Sequence, residues 1–445
     1  MPIKLTQKQV VIIGAIIGLI VLIALVIMFG TQNSQKGPTY TLNFWGTDSI
    51  ESWQNVISAY QAAHPGITIN YQQIPSSNYY STILNALAAG KGPDIFMLNN
   101  RQILENLSIL APNPYLKSIN PTMLATLFPD AVSDNLIINN LVYGLPIDMD
   151  TLALFYNSKL FNNAGVATPP STWSQAEALV PVFNQIKVSA IALGTADNIP
   201  HASDILINLM MQYGAQMANL NSGNYQASFD QSLNNNPQTS SFQPGLDAFN
   251  FYLNFSNPHN SDYDWNNTMA NAYDAFASNN LAMTFGYYSD LQTIKSKSPY
   301  LNFQVAPMLQ VNLNSPITYP RYDVLVASKQ SRLSNYAWSF IYFAATTPSA
   351  IESYLTSTNK LPALRSLIAQ GINSSDYSIS IFNRQALTAK SWLIPNNSQV
   401  DNIFDQAINN AINNISDPQT IISQAASQIT ALARNINFEL PNSNQ

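Results

Sequence analysis

The sequence predicts an α/β protein of two domains, with parallel-type sheets flanked by helices, behind one N-terminal transmembrane helix. Three observations carry that prediction. Across residues 40–100 the apolar positions switch between strand and helix periods, reading strand, helix, strand, helix, strand. Residues 10–29 contain no charged side chain. The remainder of the 445-residue chain exceeds what one core holds, since single cores stop growing near ~250–300 residues.

As a helix rising about 1.5 Å per residue, residues 10–29 reach across a ~30 Å hydrocarbon core. A cleaved signal peptide is the competing reading. Its apolar core is shorter, however, and ends in a small-residue cleavage site that Met28-Phe29-Gly30-Thr31 lacks. Lys4 and Lys8 precede the span and only Lys36 follows closely. By the positive-inside bias, residues 1–9 form a cytoplasmic tail and the main body lies outside. Residues 30–39 are polar, with Gly37 and Pro38, and read as a tether.

Leu42 and Phe44 then alternate with polar neighbours up to Trp45, the pattern of a strand. Asp48 stands three positions before Glu51, a capping-box spacing, and Ile50, Trp53, Ile57 and Tyr60 recur on one helical face. His64-Pro65-Gly66 stops that helix. Ile67, Ile69 and Tyr71 alternate again, and Tyr80, Ile83, Leu84 and Leu87 make a second helical stripe closed by Gly90. After Gly92-Pro93, Asp94-Ile95-Phe96-Met97-Leu98 is a short apolar run suited to a strand buried on both faces. Two βαβ units imply parallel strands with a binding cleft at their carboxyl ends. Trp45, Asp48, Asn99 and Asn100 fall at that edge.

Phe44-Trp45, then His64-Pro65-Gly66-Ile67-Thr68-Ile69, then Gly90-Lys91-Gly92-Pro93-Asp94 occur in an order and spacing that resemble a known family. It is the extracellular solute-binding proteins of sugar-type ABC importers, the maltose-binding-protein-like family 1. Tyr143-Gly144-Leu145-Pro146 through Phe155-Tyr156-Asn157 resembles that family's crossing from the first lobe to the second. Lys159-Leu160-Phe161, Gly165, Pro169-Pro170 and Thr172-Trp173 continue the match, with Ser171 or Thr172 placed to cap a helix. Leu281-Ala282-Met283-Thr284-Phe285-Gly286 resembles a strand after which the family presents aromatics to its ligand, here Tyr287 and Tyr288. Asn280 replaces the family's usual glycine before this strand, and asparagine also accepts a left-handed conformation. Val305-Ala306-Pro307 resembles the return crossing, and Leu361-Pro362-Ala363-Leu364-Arg365 a late family segment. The likeness runs over residues 40–437.

This resemblance implies a two-lobed periplasmic-binding-protein-like fold of type II. The first lobe would comprise residues 40–147 plus 307–347, and the second 148–306 plus 348–445. It further implies hinge closure over a bound solute, and docking of the closed form on ABC permease subunits. The lipidated cysteine that tethers many relatives is absent, because the chain has no cysteine.

Composition excludes other chemistry. A net charge of −6, with 9% of residues charged and no basic patch, argues against nucleic acid. His64, His201 and His259 are far apart and not at ligand spacing, so no metal site is expected. No nucleophile elbow occurs, Gly90-Lys91-Gly92 lacks the rest of a phosphate loop, and no cofactor is implied. Asp148 and Asp150 share a face if extended, and suit either a glycosidase acid pair or acceptors for sugar hydroxyls.

Neutral sugars present apolar ring faces and hydroxyl edges, which call for aromatic platforms and a few polar side chains. The candidates are Trp45, Asp48, Asn99 and Asn100 from the strand ends. Asp148, Met149, Tyr287 and Tyr288 come from the family segments, as do Arg321 and Tyr322, since Arg321-Tyr322-Asp323-Val324-Leu325-Val326-Ala327 resembles the family's strand before a late helix. Each has a structural alternative: Trp45 as core, Asp48 as helix cap, Arg321 as an internal ion pair. Tyr287 and Tyr288 point opposite ways if extended, so one of them would face the ligand. Trp265 is a further aromatic that no motif places. The expectation is a receptor without catalytic residues, for a neutral sugar or oligosaccharide. An anchored carbohydrate-active hydrolase, needing carboxylates ~5–9.5 Å apart, stays open, as does a sensor or adhesin on the same fold.

Overall fold

β1 (Tyr40–Gly46) turns Leu42, Phe44 and Gly46 inward and Thr41 and Asn43 outward. α1 (Ile50–Ala63) follows and buries Trp53, Val56, Ile57 and Tyr60, with Trp53 standing edge-on to Phe44 at 4.7 Å. Each such large side chain, fully buried, contributes about 1.5–3 kcal/mol. Ile50 is largely exposed, so the inner stripe runs through Val56 instead. The expected cap is also displaced: Ser49 is the N-cap, its hydroxyl on the Ser52 hydroxyl rather than on a backbone N–H, and Asp48 is engaged elsewhere. The structure, a computed structural model, describes residues 38–115, 120–221, 223–233, 242–436 and 438. The expected tail at 1–9 and membrane span at 10–29 lie outside the described residues, among which no helix is long and apolar enough to cross a membrane.

β2 (Ile67–Gln73) and, after α2 (Tyr79–Ala88), β3 (Ile95–Asn99) pair in parallel with the two sides of β1. The inner face of α2 carries Tyr79, Ile83 and Leu87, whereas Tyr80 and Leu84 are partly exposed. Tyr79 is drawn in because its hydroxyl fills the fork where β1 and β3 part. It donates to the Trp45 carbonyl at 2.9 Å and accepts from the Met97 N–H at 2.7 Å. β4 (Leu110–Ala111), α3 (Asp130–Leu136) and β5 (Leu145–Pro146) complete this pass through the first lobe.

The second lobe is built on β6 (Ala153–Asn157), α4 (Trp173–Gln185), β7 (Ser189–Ile191), α5 (Ala202–Gln212), β8 (Leu281–Gly286) and β9 (Phe303–Ala306). Its sheet order is β7-β8-β6-β9. Thr172 caps α4, its hydroxyl accepting from the Gln175 N–H at 3.3 Å. The chain returns through Pro320–Arg321, which pairs with Asp150–Thr151, and enters the first sheet as β10 (Asp323–Ser328). The first sheet then reads β2-β1-β3-β10-β4, with β5 also on β10.

Parallel pairing therefore holds for β1 with β2 and β3 and for β7 with β8, while β6 and β10 run antiparallel to their neighbours. Both arrive from a crossing and so start at the cleft edge where their neighbours end. Ala153 faces Gly286, and Asp323 faces Asn99.

Two of the expected lobe boundaries, at 307 and at 347/348, are crossed by close contacts. Within residues 307–319, Leu309 and Ile317 accept through their carbonyls from Gln212 on α5, both at 2.9 Å. After β10 come α6 (Ser334–Thr346), α7 (Pro348–Thr358), α8 (Arg365–Gly371), α9 (Tyr377–Ala386), α10 (Asn397–Ile412) and α11 (Pro418–Leu432). A boundary at 347/348 would put α7 in the second lobe, yet its Tyr354 ring lies 4.4 Å from that of Trp53 in the first. From α9 onward the chain packs its helices on the second lobe. Gln385 accepts from the Met308 N–H, and Thr430 on α11 accepts from the Ala227 N–H.

Candidate functional site

At the meeting of the two cleft edges and the crossings, the lobes enclose a chamber of about 210 Å³. Asn99 reaches it from the end of β3, and Asp148, Met149 and Asp150 from the first crossing. Tyr287, Tyr288 and Ser289 follow β8, His201 precedes α5, and Arg321, Tyr322 and Asp323 come from the return. Asn359, Lys360 and Leu361, just past α7, close the remaining side.

One wall is organised by Lys360. Its ammonium lies 2.8 Å from Asp323, 3.2 Å from Asp148 and 3.4 Å from Asp48, and donates to the Tyr354 hydroxyl at 2.9 Å. Burial works against the lysine's charge, but Asp323 and Asp148 outweigh it and hold its pKa well above the ordinary value. Tyr354 in turn donates to Asp48 at 2.7 Å. The Tyr71 hydroxyl donates to the Asp48 carbonyl at 2.6 Å, and the path exists because Gly46 has no Cβ, which would sit 2.6 Å from that same oxygen. Asp148 accepts from the Asp323 N–H at 2.7 Å. Burial, with the neighbouring Asp323 charge, pushes Asp148 up to about 7 against the pull of Lys360. Asp150 accepts from the N–H groups of Tyr288 (2.8 Å) and Ser289 (3.0 Å), which fixes the loop after β8. Burial raises it to about 6 even so.

The opposite wall is organised by Asp204, wholly buried on α5. It lies 2.7 Å from Arg321 Nε and 3.2 Å from Arg101 Nη1, and accepts from the Tyr287 hydroxyl at 2.7 Å. Burial alone would raise its pKa, but Arg321 and Arg101 hold it down at about 2. Arg101, from the first lobe, also bonds to Asp401 on α10, and Ser203 donates to the same carboxylate at 3.0 Å. The Arg321 guanidinium stands over the Tyr287 ring at 5.3 Å. His201 meets that ring edge-on and sits 2.9 Å from Asp290.

Of the candidates named from the sequence, Asn99, Asp148, Met149, Tyr287, Tyr288, Arg321 and Tyr322 come together around the chamber. Tyr287 and Tyr288 both line it, since the chain leaves the extended state at Gly286. The Tyr322 hydroxyl is nevertheless turned into the first lobe, on the Ala131 carbonyl and Asn135. Asn100 is buried behind the chamber, accepting from the Tyr322 N–H and donating to Asn135. Trp45 is half-buried on the first-lobe core, and Asp48 touches the site only through Lys360 and Tyr354. Trp265 is buried away from the chamber and donates to Asn198. Sequence reasoning missed Lys360, Asn359, Arg101 and Asp204. A usable signal existed in a chain so poor in charge: Arg101 stands two positions past the β3 end, and Lys360 directly precedes Leu361-Pro362.

The model of one family, bacterial extracellular solute-binding protein, matches residues 46–351. A binding protein of Brucella abortus (strain 2308) is 25% identical over 126 residues, covering 28% of this chain and 30% of that protein. A lipoprotein of Streptomyces antibioticus is 25% identical over 150 residues, 32% of each chain. The match thus spans about a third of the length of these curated relatives. Among solved structures, the cyclic α-maltosyl-1,6-maltose binding protein of Arthrobacter globiformis superposes with a TM-score of 0.72 at 17% identity, covering 90% of this chain and all of that one. The sugar-binding protein MalE of Xanthomonas citri gives 0.69 at 19% identity, with 88% and 97% covered. An ABC transporter solute-binding protein of Thermotoga lettingae, bound to α-D-tagatose, gives 0.63 at 19%, with 89% and 100% covered. These likenesses establish the two-lobed α/β fold, and the family match extends across both crossings. The chain belongs to the bacterial extracellular solute-binding protein family.

Proposed function

We propose that this protein is a membrane-anchored receptor outside the cytoplasm that closes its lobes on a neutral carbohydrate and delivers it to the permease of an ABC importer. The observation that carries the reading is the chamber at the lobe junction. Two tyrosines and several polar groups face it, and its lysine and arginine, Lys360 and Arg321, are already held by carboxylates. A site whose cations already hold carboxylates has little left for an ionic ligand, whereas rings and hydrogen-bonding edges suit a sugar. The sugar-bound neighbours point the same way. Residues 10–29 supply the anchor, and closure follows from a ligand that touches both lobes and so favours the closed population.

Asp148 has the raised pKa expected of a general acid, which is the feature a hydrolase would show. Both of its oxygens are engaged within the protein, one by the Asp323 N–H and one by Lys360. Such a carboxyl holds the crossing rather than waits for a glycosidic oxygen.

The test is native mass spectrometry of the full-length chain, in a detergent without sugar head groups, against a panel of neutral mono- and oligosaccharides. One-to-one adducts at the mass of intact sugar are expected. Sugars shortened during incubation would replace the receptor with a hydrolase, and no adduct with any sugar would remove the carbohydrate ligand.

A further inference from the structure

The chain enters the first lobe at the end remote from the chamber. β1 and β3 run toward the cleft edge and β10 runs away from it, so Tyr40, Asp94 and Ser328 gather at the opposite pole. Asp94 ties two turns together there, accepting from the Asn43 N–H at 2.8 Å and from the Ser331 hydroxyl at 2.5 Å. Those turns, 89–94 and 328–333, carry Lys91, Lys329 and Arg332, all exposed, and Asp94 is their one carboxylate. The neighbouring helices add none. α2 and α6 contain no acid, and Glu51 of α1 lies in its first turn, at the cleft end. In a chain with a net charge of −6, this pole is positive.

Tyrosines stand beside these cations. Tyr40 stacks on Tyr336 at 4.7 Å, and Tyr115, 40% exposed, donates to the Asn335 carbonyl at 3.1 Å. Rings with a polar end, next to lysine and arginine, suit the head-group layer of a membrane. The chain before β1 limits how far the pole can stand from one. Residues 30–39 separate it from the span read at 10–29, and ten residues reach at most ~33–36 Å. So short a tether keeps the pole at high effective concentration against the bilayer, where even weak contacts are populated.

We propose that this pole is a docking surface for the acidic lipid head groups of the membrane that holds the anchor. Lys91, Lys329 and Arg332 meet lipid phosphates, while Tyr40, Tyr115 and Tyr336 lie at the head-group level. The first lobe then stands with its chamber turned away from the bilayer, open to solute. The proposal rests on the anchor reading above.

The test is energy transfer to a trace of acceptor-labelled lipid. The chain has no cysteine, so Gln330→Cys at the pole and Ile50→Cys at the cleft edge, both exposed, each take one fluorescent donor. Full-length protein with either label is reconstituted in vesicles of phosphatidylcholine, alone or mixed with phosphatidylglycerol. In the mixed vesicles, transfer from position 330 is expected to exceed that from position 50 by at least about twofold. It should fall by about the same factor in phosphatidylcholine alone, at high salt, or when Lys91→Glu, Lys329→Glu and Arg332→Glu are combined. These substitutions are on exposed turns, so folding is preserved. Transfer from position 330 that ignores lipid charge, salt and the reversal overturns the docking while the anchor reading stands. If the chain leaves phosphatidylcholine vesicles in an alkaline wash, the anchor reading falls and takes the docking with it.

Discussion

Arg101 of the first lobe lies 3.2 Å from Asp204 of the second, and both side chains are sealed from solvent. This contact joins the two halves across the cleft. With Asp401 as a second acceptor, it works as a clasp that opening must break.

Breaking that clasp from one side should be costly. Arg101→Met leaves Asp204 with Arg321 as its remaining cation and strands Asp401, and loss of one member of a buried pair typically costs about 3–5 kcal/mol. Urea titration should show that loss, and small-angle scattering should show a larger radius for the ligand-free variant. Adding Asp401→Asn removes the stranded charge and should return part of the stability. Unchanged scattering and stability in R101M would mean the clasp contributes nothing.

The chamber carboxyls predict an acid-side stability maximum. Asp148 titrates near 7 and Asp150 near 6, both above the ordinary value of 3.8. Below ~4 both states hold these protons and the groups contribute nothing. As pH rises the unfolded chain releases them first, so the folded state binds more protons and stability falls until the folded values are passed. Asp204, held near 2, acts oppositely, and its contribution is lost only as pH drops below about 4. Unfolding free energy should therefore decline between about pH 4 and 7, by an amount on the order of several kcal/mol. Asp148→Asn should flatten that slope in denaturant titrations run across the range.

Lys360→Met should steepen it. Without the ammonium, Asp48, Asp148 and Asp323 repel one another in a half-closed wall, and protonation becomes their relief. The variant should lose about 3–5 kcal/mol near pH 8 and clearly less near pH 5. Equal losses at both values would show that packing by the lysine stem, rather than its charge, holds the wall.

The local elements were legible because period-2 and period-3.6 patterns depend only on near neighbours. β1, α1, β2, α2 and β3 follow from them, with the α2 face displaced because the Tyr79 hydroxyl serves the backbone fork. The site was less legible because its organising residues are set by partners far along the chain. Asp48 carries capping-box spacing, yet Tyr354 and Lys360, about 300 positions later, claim its carboxylate. Arg101 reads as one more polar residue after a strand until Asp204 and Asp401 are brought beside it. The antiparallel entries of β6 and β10 were hidden likewise, since direction in a sheet depends on where a crossing delivers the chain.

Two of the aromatics associated with the cleft from the sequence, Tyr288 and Trp45, should separate in binding assays. Tyr288 lines the chamber with its ring edge-on to Phe382 at 5.5 Å, so it can offer a face without rearrangement. Trp45 has its indole on the first-lobe core and lines no part of the chamber. Aromatic packing contributes about 0.5–1.5 kcal/mol beyond buried area, so Tyr288→Ala should weaken sugar binding by roughly 3–10-fold. Trp45→Phe preserves the apolar packing and should leave Kd within about twofold, with a small loss of stability. Calorimetric titration of both variants with the same sugar settles it, and the reverse ranking would move the ligand from the chamber to the outer mouth of β1.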